Sequence, residues 1–251
     1  MEAVAIAIVP LGAAIGSFLN VVIHRLPLGE SIVKPRSRCP GCGTELRARD
    51  NVPLLSWLAL RGRCRDCGER ISPRYPTVEL LTAAAFVAVA AARGLQPALL
   101  ALLPFTAMLV AVAFIDLEHR IIPNRILLPM AVWGVLSAAL LRPDQLPELL
   151  IAGAAAFLLL LAAALAYPGG MGMGDVKLAG VMGLYLGAAV APALLAAFAL
   201  GALVGLAIVL HDGAGARKRG LPFGPFLAVG GLLGLLAGPE LVDLYVQRFL
   251  S

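Results

Sequence analysis

Long uncharged apolar runs separated by short polar breaks dominate this chain, and the lengths of the runs carry the structural signal. Residues 4–23, 97–115, 149–167 and 221–239 contain no charged side chain, and each is close to the roughly 20 residues that cross a bilayer as one helix. Two shorter runs, 80–92 and 126–141, reach that length if flanking residues join the helix. Glu79 then falls in the first turn of its helix, where a carboxylate suits the dipole. The longest run, 178–210, has 33 residues; one straight helix of that size would extend about 50 Å, against about 30 Å of hydrocarbon. Gly187 and Pro192 weaken helix continuity inside it, so two short spans are predicted, divided within 187–192. The pattern as a whole predicts an all-α polytopic membrane protein of about eight transmembrane helices.

Composition agrees. Apolar residues make up 60% of the 251 positions and charged residues 14%, against about 25% charged in water-soluble domains, which excludes a soluble fold. With the N-terminus outside, 17 of the 20 Lys and Arg fall on one side: those of residues 24–76, Arg120, Arg125, Lys177, and Arg217, Lys218 and Arg219. Arg93, Arg142 and Arg248 take the other side. An asymmetry of this kind marks the basic side as cytoplasmic, and fusing the two short spans would put 217–219 outside. The basic balance thus reports topology and contact with anionic lipids, and nucleic acid is not an expected partner. The first run follows Met1-Glu2 and carries its positive charge after the apolar stretch, so it is predicted to be a membrane helix and not a cleaved signal peptide.

The one long polar segment, 24–76, holds all four cysteines, as Cys39-Pro40-Gly41-Cys42 and Cys64-Arg65-Asp66-Cys67 with positions 43–63 between the pairs. Each pair is followed by glycine, Gly43 or Gly68, which lets the chain turn so that two thiolates face one ion. Two disulfides are the plain alternative, and a reducing cytoplasmic loop disfavours them. The pattern predicts a cytoplasmic loop organised by structural zinc.

Two carboxylates lie at the edges of apolar runs. Asp116 ends the third run, and Asp175 sits in GGMGMGDVKLAG, residues 169–180. A lipid-facing aspartate costs about 2.5–3.5 kcal/mol at a helix centre, less near an interface, so both are expected to face protein or water. The topology above brings them to one cytoplasmic membrane face. At short separation only one of such a pair ionises; the ionised member can draw a proton from water while the protonated one polarises a carbonyl. Taken alone, the two fit equally well as helix caps or as partners of Arg120 and Lys177. Gly172 and Gly174 leave room for a substrate chain beside Asp175. Lys177 either steers an acidic group or tunes the pair, or else it is an interfacial lysine. His119 is a further candidate ligand if a metal were to sit at the aspartates. Trp57, Tyr75, Met171 and Met173 suit interface packing.

The residues 16–27 (GSFLNVVIHRLP), the paired C-x-x-C, 51–58 (NVPLLSWL), 61–64 (RGRC), 71–76 (ISPRYP), Asp116, the glycine stretch and 222–225 (PFGP) occur in that order. Together they resemble the bacterial type IV prepilin peptidases, in particular the bifunctional prepilin leader peptidase/N-methyltransferases. The resemblance implies an inner-membrane aspartic endopeptidase with Asp116 and Asp175 as catalytic aspartates and an active site facing the cytoplasm. It further implies removal of the leader of type IV prepilins or pseudopilins after a glycine, then methylation of the new N-terminal residue from S-adenosylmethionine. One departure is visible: the family usually has Pro-Asp after the first aspartate, and this chain has Pro123-Asn124. The expected organisation is a first helix (1–23), a zinc-binding, methyltransferase-associated loop (24–76) and a peptidase bundle (77–251). The competing reading is a transporter with intramembrane carboxylates; it predicts inverted repeats, and no convincing internal repeat is found.

Overall fold

The computed structural model describes residues 2–213 and 220–249. Arg217, Lys218 and Arg219, which enter the charge asymmetry, lie outside these. Among the described residues the regular structure is helical, with two isolated antiparallel bridges in the polar loop. The chain forms two compact units, Met1–Leu95 and Gln96–Ser251.

The first unit contains α1 (Glu2–Arg25), the short α2 (Leu55–Ala59) and α3 (Arg74–Arg93). α1 and α3 run antiparallel in tight contact. Gly12 faces Ala83, Gly16 faces Glu79, and the Asn20 amide donates to the Tyr75 carbonyl at 3.1 Å. Close backbone approach at small residues is how helices associate where lipid offers no hydrophobic drive. The run 80–92 does gain its flanks, but by more than the sequence suggested. α3 starts at Arg74, with Pro76 in its opening turn, where its missing N–H costs nothing. Glu79 therefore lies in the second turn and not the first, and it is buried, at 7% exposed.

The second unit comprises α4 (Leu99–His119), α5 (Asn124–Leu141), α6 (Leu146–Ala166), α7 (Met173–Leu186), α8 (Val190–Asp212) and α9 (Gly224–Phe249). Among the described residues seven helical stretches are long and apolar enough to cross a membrane, and one of them, Met173–Asp212, has 40 residues. That stretch is two crossings. Along α9, Gly231 meets Met182 and Gly234 meets Leu186, so α7 runs parallel to α9. Gly201 faces Phe223, Gly230 faces Ala197 and Gly238 faces Ala189, so α8 runs against it. The chain reverses at the 3-10 turn Gly187–Ala189, where Gly187 takes φ +57°. Pro192 sits just inside α8 and does not itself make the break. The eight-helix expectation therefore holds, with α7 a short crossing of 14 residues, about 21 Å long.

The same register places helix ends. The amide of Asn124 meets the Lys177 ammonium, Gly134 faces Tyr185, Gly153 faces Leu184, and Gly224 faces Asp116. α5, α7 and α9 thus point one way and α4, α6 and α8 the other. Phe105 stacks on Tyr185 with centroids 4.4 Å apart, and the Tyr185 hydroxyl donates to the Met130 carbonyl at 2.6 Å. These contacts lock α4, α5 and α7 together. Many large apolar side chains, such as Leu140, Leu158, Leu195 and Leu203, are exposed, as they must be where the surrounding medium is hydrocarbon.

Candidate functional site

Asp116 is in the last turn of α4 and Asp175 in the first turn of α7. Because α4 and α7 run in opposite directions, these turns lie at the same end of the bundle. Both are buried, at 6% and 9% exposed. Each carboxylate is held by a backbone amide at the start of a helix: Asp116 Oδ2 accepts the Gly224 N–H of α9 at 2.8 Å, and Asp175 Oδ2 accepts the Gly172 N–H at 3.2 Å. Amides at helix N-termini are suited to anions, since their N–H groups lack partners within the helix. Asp175 occupies the third position of α7 and closes back on the residue that caps it, the arrangement in which an acidic side chain stabilises the helix start.

Gly224 has a second role that the sequence alone did not disclose. A Cβ there would stand 2.8 Å from Asp116 Oδ2 and 2.9 Å from Asp116 Cβ, so only glycine lets α9 begin against the carboxylate. The available signal was the glycine between Phe223 and Pro225 at the opening of an apolar run. Gly174 is likewise packed, with Ile122 2.9 Å from the place of a Cβ; the space at Gly174 is filled by protein. At Gly172 the close neighbour is Asp175 itself.

Lys177 donates to Asn124 Oδ1 at 3.1 Å, which ties α7 near its start to the first residue of α5. His119 is exposed at the end of α4, and among the described residues it joins no group of metal-ligating side chains.

The four cysteines do form such a group, with all Sγ atoms within 4.8 Å of one another. Two similar knuckles carry them. In the first, Cys39 N–H donates to Thr44 and Gly43 N–H to Cys39 at 3.0 and 2.9 Å; in the second, Cys64 N–H donates to Glu69 and Gly68 N–H to Cys64 at 2.8 and 3.0 Å. Gly43 and Gly68 take φ +70° and +75°, the left-handed turn that glycine adopts without strain. Four sulfurs about 2.3 Å from one ion at tetrahedral angles lie about 3.8 Å apart, and Cys39 Sγ and Cys67 Sγ are 3.7 Å apart. All four are free thiols. Their acidities are split. Hydrogen bonding with Thr44, side chain first and then backbone, draws Cys42 down to about 6. The Glu69 amide alone would lower Cys67, but desolvation and the three neighbouring sulfurs outweigh it and push that thiol up to about 12. Four thiol sulfurs this close together are suited to a cation that they hold as thiolates.

Ion pairs brace the knuckles: Arg65 donates Nε and Nη2 to Asp50 Oδ1 at 3.0 and 2.7 Å, and Arg47 reaches Asp66 at 3.3 Å. The Arg65 guanidinium holds the Asp50 carboxyl below its ordinary range.

Residues 10–93 match the bacterial peptidase A24 N-terminal domain and residues 103–209 match the type IV leader peptidase family, each within one compact unit. A "Prepilin leader peptidase/N-methyltransferase" of Aeromonas hydrophila is 39% identical over 94% of this chain and 91% of its own length. Another of that name, from Bacillus subtilis (strain 168), is 38% identical over 96% and 97%. The chain belongs to the type IV leader peptidase family. No solved structure matches it. Family membership leaves the transporter reading without support. Asn124, the departure noted in the sequence, accepts the Lys177 ammonium through its neutral amide oxygen.

Proposed function

We propose that the chain is a multi-pass aspartic endopeptidase of the bacterial inner membrane that removes the leader of type IV prepilins or pseudopilins at the cytoplasmic face and N-methylates the residue so exposed. The observation that carries the cleavage reading is the convergence of two buried carboxylates at one end of the bundle, each fixed by a helix-opening amide. In this reading one carboxyl of the Asp116–Asp175 pair is ionised and takes a proton from water. The oxygen of that water attacks the scissile carbonyl carbon, while the protonated partner donates to the carbonyl oxygen. Collapse of the tetrahedral adduct breaks the C–N bond, and the pair returns a proton to the leaving amine. Which aspartate holds the proton is a property of the coupled pair.

Methylation is assigned to the four-cysteine loop, residues 24–76. Cys39, Cys42, Cys64 and Cys67 would hold zinc as a structural ion; their number, thiolate chemistry and spacing fit it. S-adenosylmethionine, when bound, supplies an electrophilic methyl group. The chain has no glycine-rich nucleotide-binding fingerprint to assign to that donor. Beside the aspartates, Lys177 ties two helix starts, Gly172 supplies the amide for Asp175, and Gly174 lets the start of α7 pack against Ile122.

Co-expression with a prepilin, followed by mass spectrometry of the mature N-terminus, tests the reading. The expected product begins at the residue after the leader's final glycine and carries one added methyl group. An uncleaved product would refute the peptidase assignment, and a cleaved but unmethylated one would refute the second activity.

A further inference from the structure

Glu79 is a buried carboxylate that the cleavage chemistry does not use. It is 7% exposed and lies where α1 and α3 approach most closely, its Cα 2.6 Å from where a Cβ on Gly16 would be. Among the described residues no cation pairs with it. Beside the Ser17 side chain of α1, its partner is the backbone N–H of Leu54, which donates to Glu79 Oε2 at 2.7 Å across 25 positions of sequence.

Leu54 is itself unusual, with φ 62° and ψ −51°, a conformation that a bulky L-residue rarely adopts and that persists only where its surroundings enforce it. It opens α2, which leads directly into the second cysteine knuckle. The Trp57 ring covers Gly62, with Cζ2 2.8 Å from the place of a Cβ. The indole N–H donates to the Ile71 carbonyl at 3.2 Å, and the Ile71 N–H donates to the Gly62 carbonyl at 2.8 Å. Cys64 follows two residues later. A continuous set of contacts therefore runs from the Glu79 carboxylate through Leu54, α2 and Trp57 to the knuckle that holds Cys64 and Cys67.

We propose that Glu79 is a positioning residue for methyl transfer: its buried carboxylate clasps the strained Leu54 amide and so fixes α2 and the second knuckle on the α1–α3 pair. This rests on the assignment of methylation to the four-cysteine loop. A carboxylate suits the task because both its oxygens accept, and when ionised it accepts a hydrogen bond roughly twice as strong as a neutral acceptor does. A glutamine keeps an acceptor oxygen and should serve in part; a leucine keeps the volume and removes the acceptor.

The test uses the full-length protein in vesicles with one prepilin substrate, comparing Glu79→Leu and Glu79→Gln with wild type. Four quantities are measured: cleaved fraction, methylated fraction, bound zinc, and hydrogen exchange over residues 52–62. Loss of the clasp in Glu79→Leu should speed exchange in that segment and slow methylation at least about tenfold, with zinc retained and cleavage within about threefold of wild type. Glu79→Gln should recover most of both losses. Unchanged exchange and methylation in Glu79→Leu would overturn the proposal. So would a Glu79→Gln protein that is protected from exchange yet as deficient in methylation as the leucine variant, because the carboxylate would then act in the chemistry itself. If Glu79→Leu does not accumulate, faster exchange with partly reduced methylation in Glu79→Gln supports the clasp, and wild-type values for both refute it. A wild type that holds zinc but does not methylate would refute the assignment of methylation to this loop, while the exchange measurement still decides whether the clasp exists.

Discussion

Asp116 and Asp175 lie 59 positions apart on different helices, whereas each pair of cysteines comes from a single knuckle, bounded by the bridges Arg38–Glu45 and Arg63–Arg70. The aspartates are placed by long-range packing. α4 and α7 must run in opposite directions, and α9 must start against Asp116, before the two carboxylates share an end of the bundle. The cysteines are placed by local turns that glycine permits, and their hairpins lack an apolar core large enough to hold them: Cys39 and Cys64 are the only buried apolar side chains among the described residues of 26–73. A bundle supplies its own rigidity, while a loop of this kind borrows it from an ion and from a few hydrogen bonds to helices. The two proposed activities should therefore fail under different insults.

The largest expected effect is on cleavage. Asp116→Asn and Asp175→Asn should each lower the cleavage rate by at least about 10³-fold, because an amide can neither take up nor supply the proton that the pair must exchange. The variants should remain folded in membranes, and a substrate-cleavage time course on purified protein is the check. Robust cleavage by either variant would remove the aspartic mechanism.

Next comes the loop. Cys39→Ser combined with Cys64→Ser should abolish metal binding, measured by elemental analysis, and should lower methylation at least about tenfold, since the affinity of a thiolate site resides in its ligands. Cleavage should suffer no more than methylation does. A purified wild type carrying no metal would show that the loop is held by other means.

Gly224→Ala tests the bundle site from its far wall. The added methyl meets Asp116 Oδ2 at 2.8 Å, so either the carboxylate or the start of α9 must shift, and misplacement of a reacting group by an ångström can cost about 10²-fold in rate. A loss of about ten- to a hundredfold in cleavage with zinc content unchanged is expected from kinetics and metal analysis. The smallest effect is expected for Asn124→Asp, which replaces an amide partner of Lys177 with a charged one. Exposed pairs of this kind contribute about 1 kcal/mol or less, so cleavage should stay within about fivefold of wild type.

The sequence made the helices legible because runs of uncharged residues admit little else in a bilayer. It also foretold the reversal inside 178–210, since a single crossing cannot hold 33 residues. What it missed followed from packing. Glu79 was expected one turn nearer the helix start, because polar Arg74 and Tyr75 hid the true beginning of α3. The partnership of Gly224 with Asp116 spans 108 positions and has no local signature beyond a glycine between an aromatic residue and a proline. The Asn124–Lys177 bond is equally nonlocal. The cysteine cluster, by contrast, was readable from spacing alone, because its geometry is made within each knuckle. The sidedness inferred from charge can be checked with reporter fusions: one after Arg219 should be cytoplasmic and one after Arg142 periplasmic. A shared side for both would contradict the return of the chain through α8.

The decisive comparison is a mass spectrum of one prepilin's N-terminus after co-expression with wild type, with Asp175→Asn and with the double cysteine variant. Wild type should give a cleaved and methylated product, Asp175→Asn an intact leader, and the double cysteine variant a product that is cleaved in part but predominantly unmethylated. A leader removed as well by Asp175→Asn as by wild type, or full methylation by a protein that has lost its metal, would contradict the division of labour between the helix-end aspartates and the four-cysteine loop.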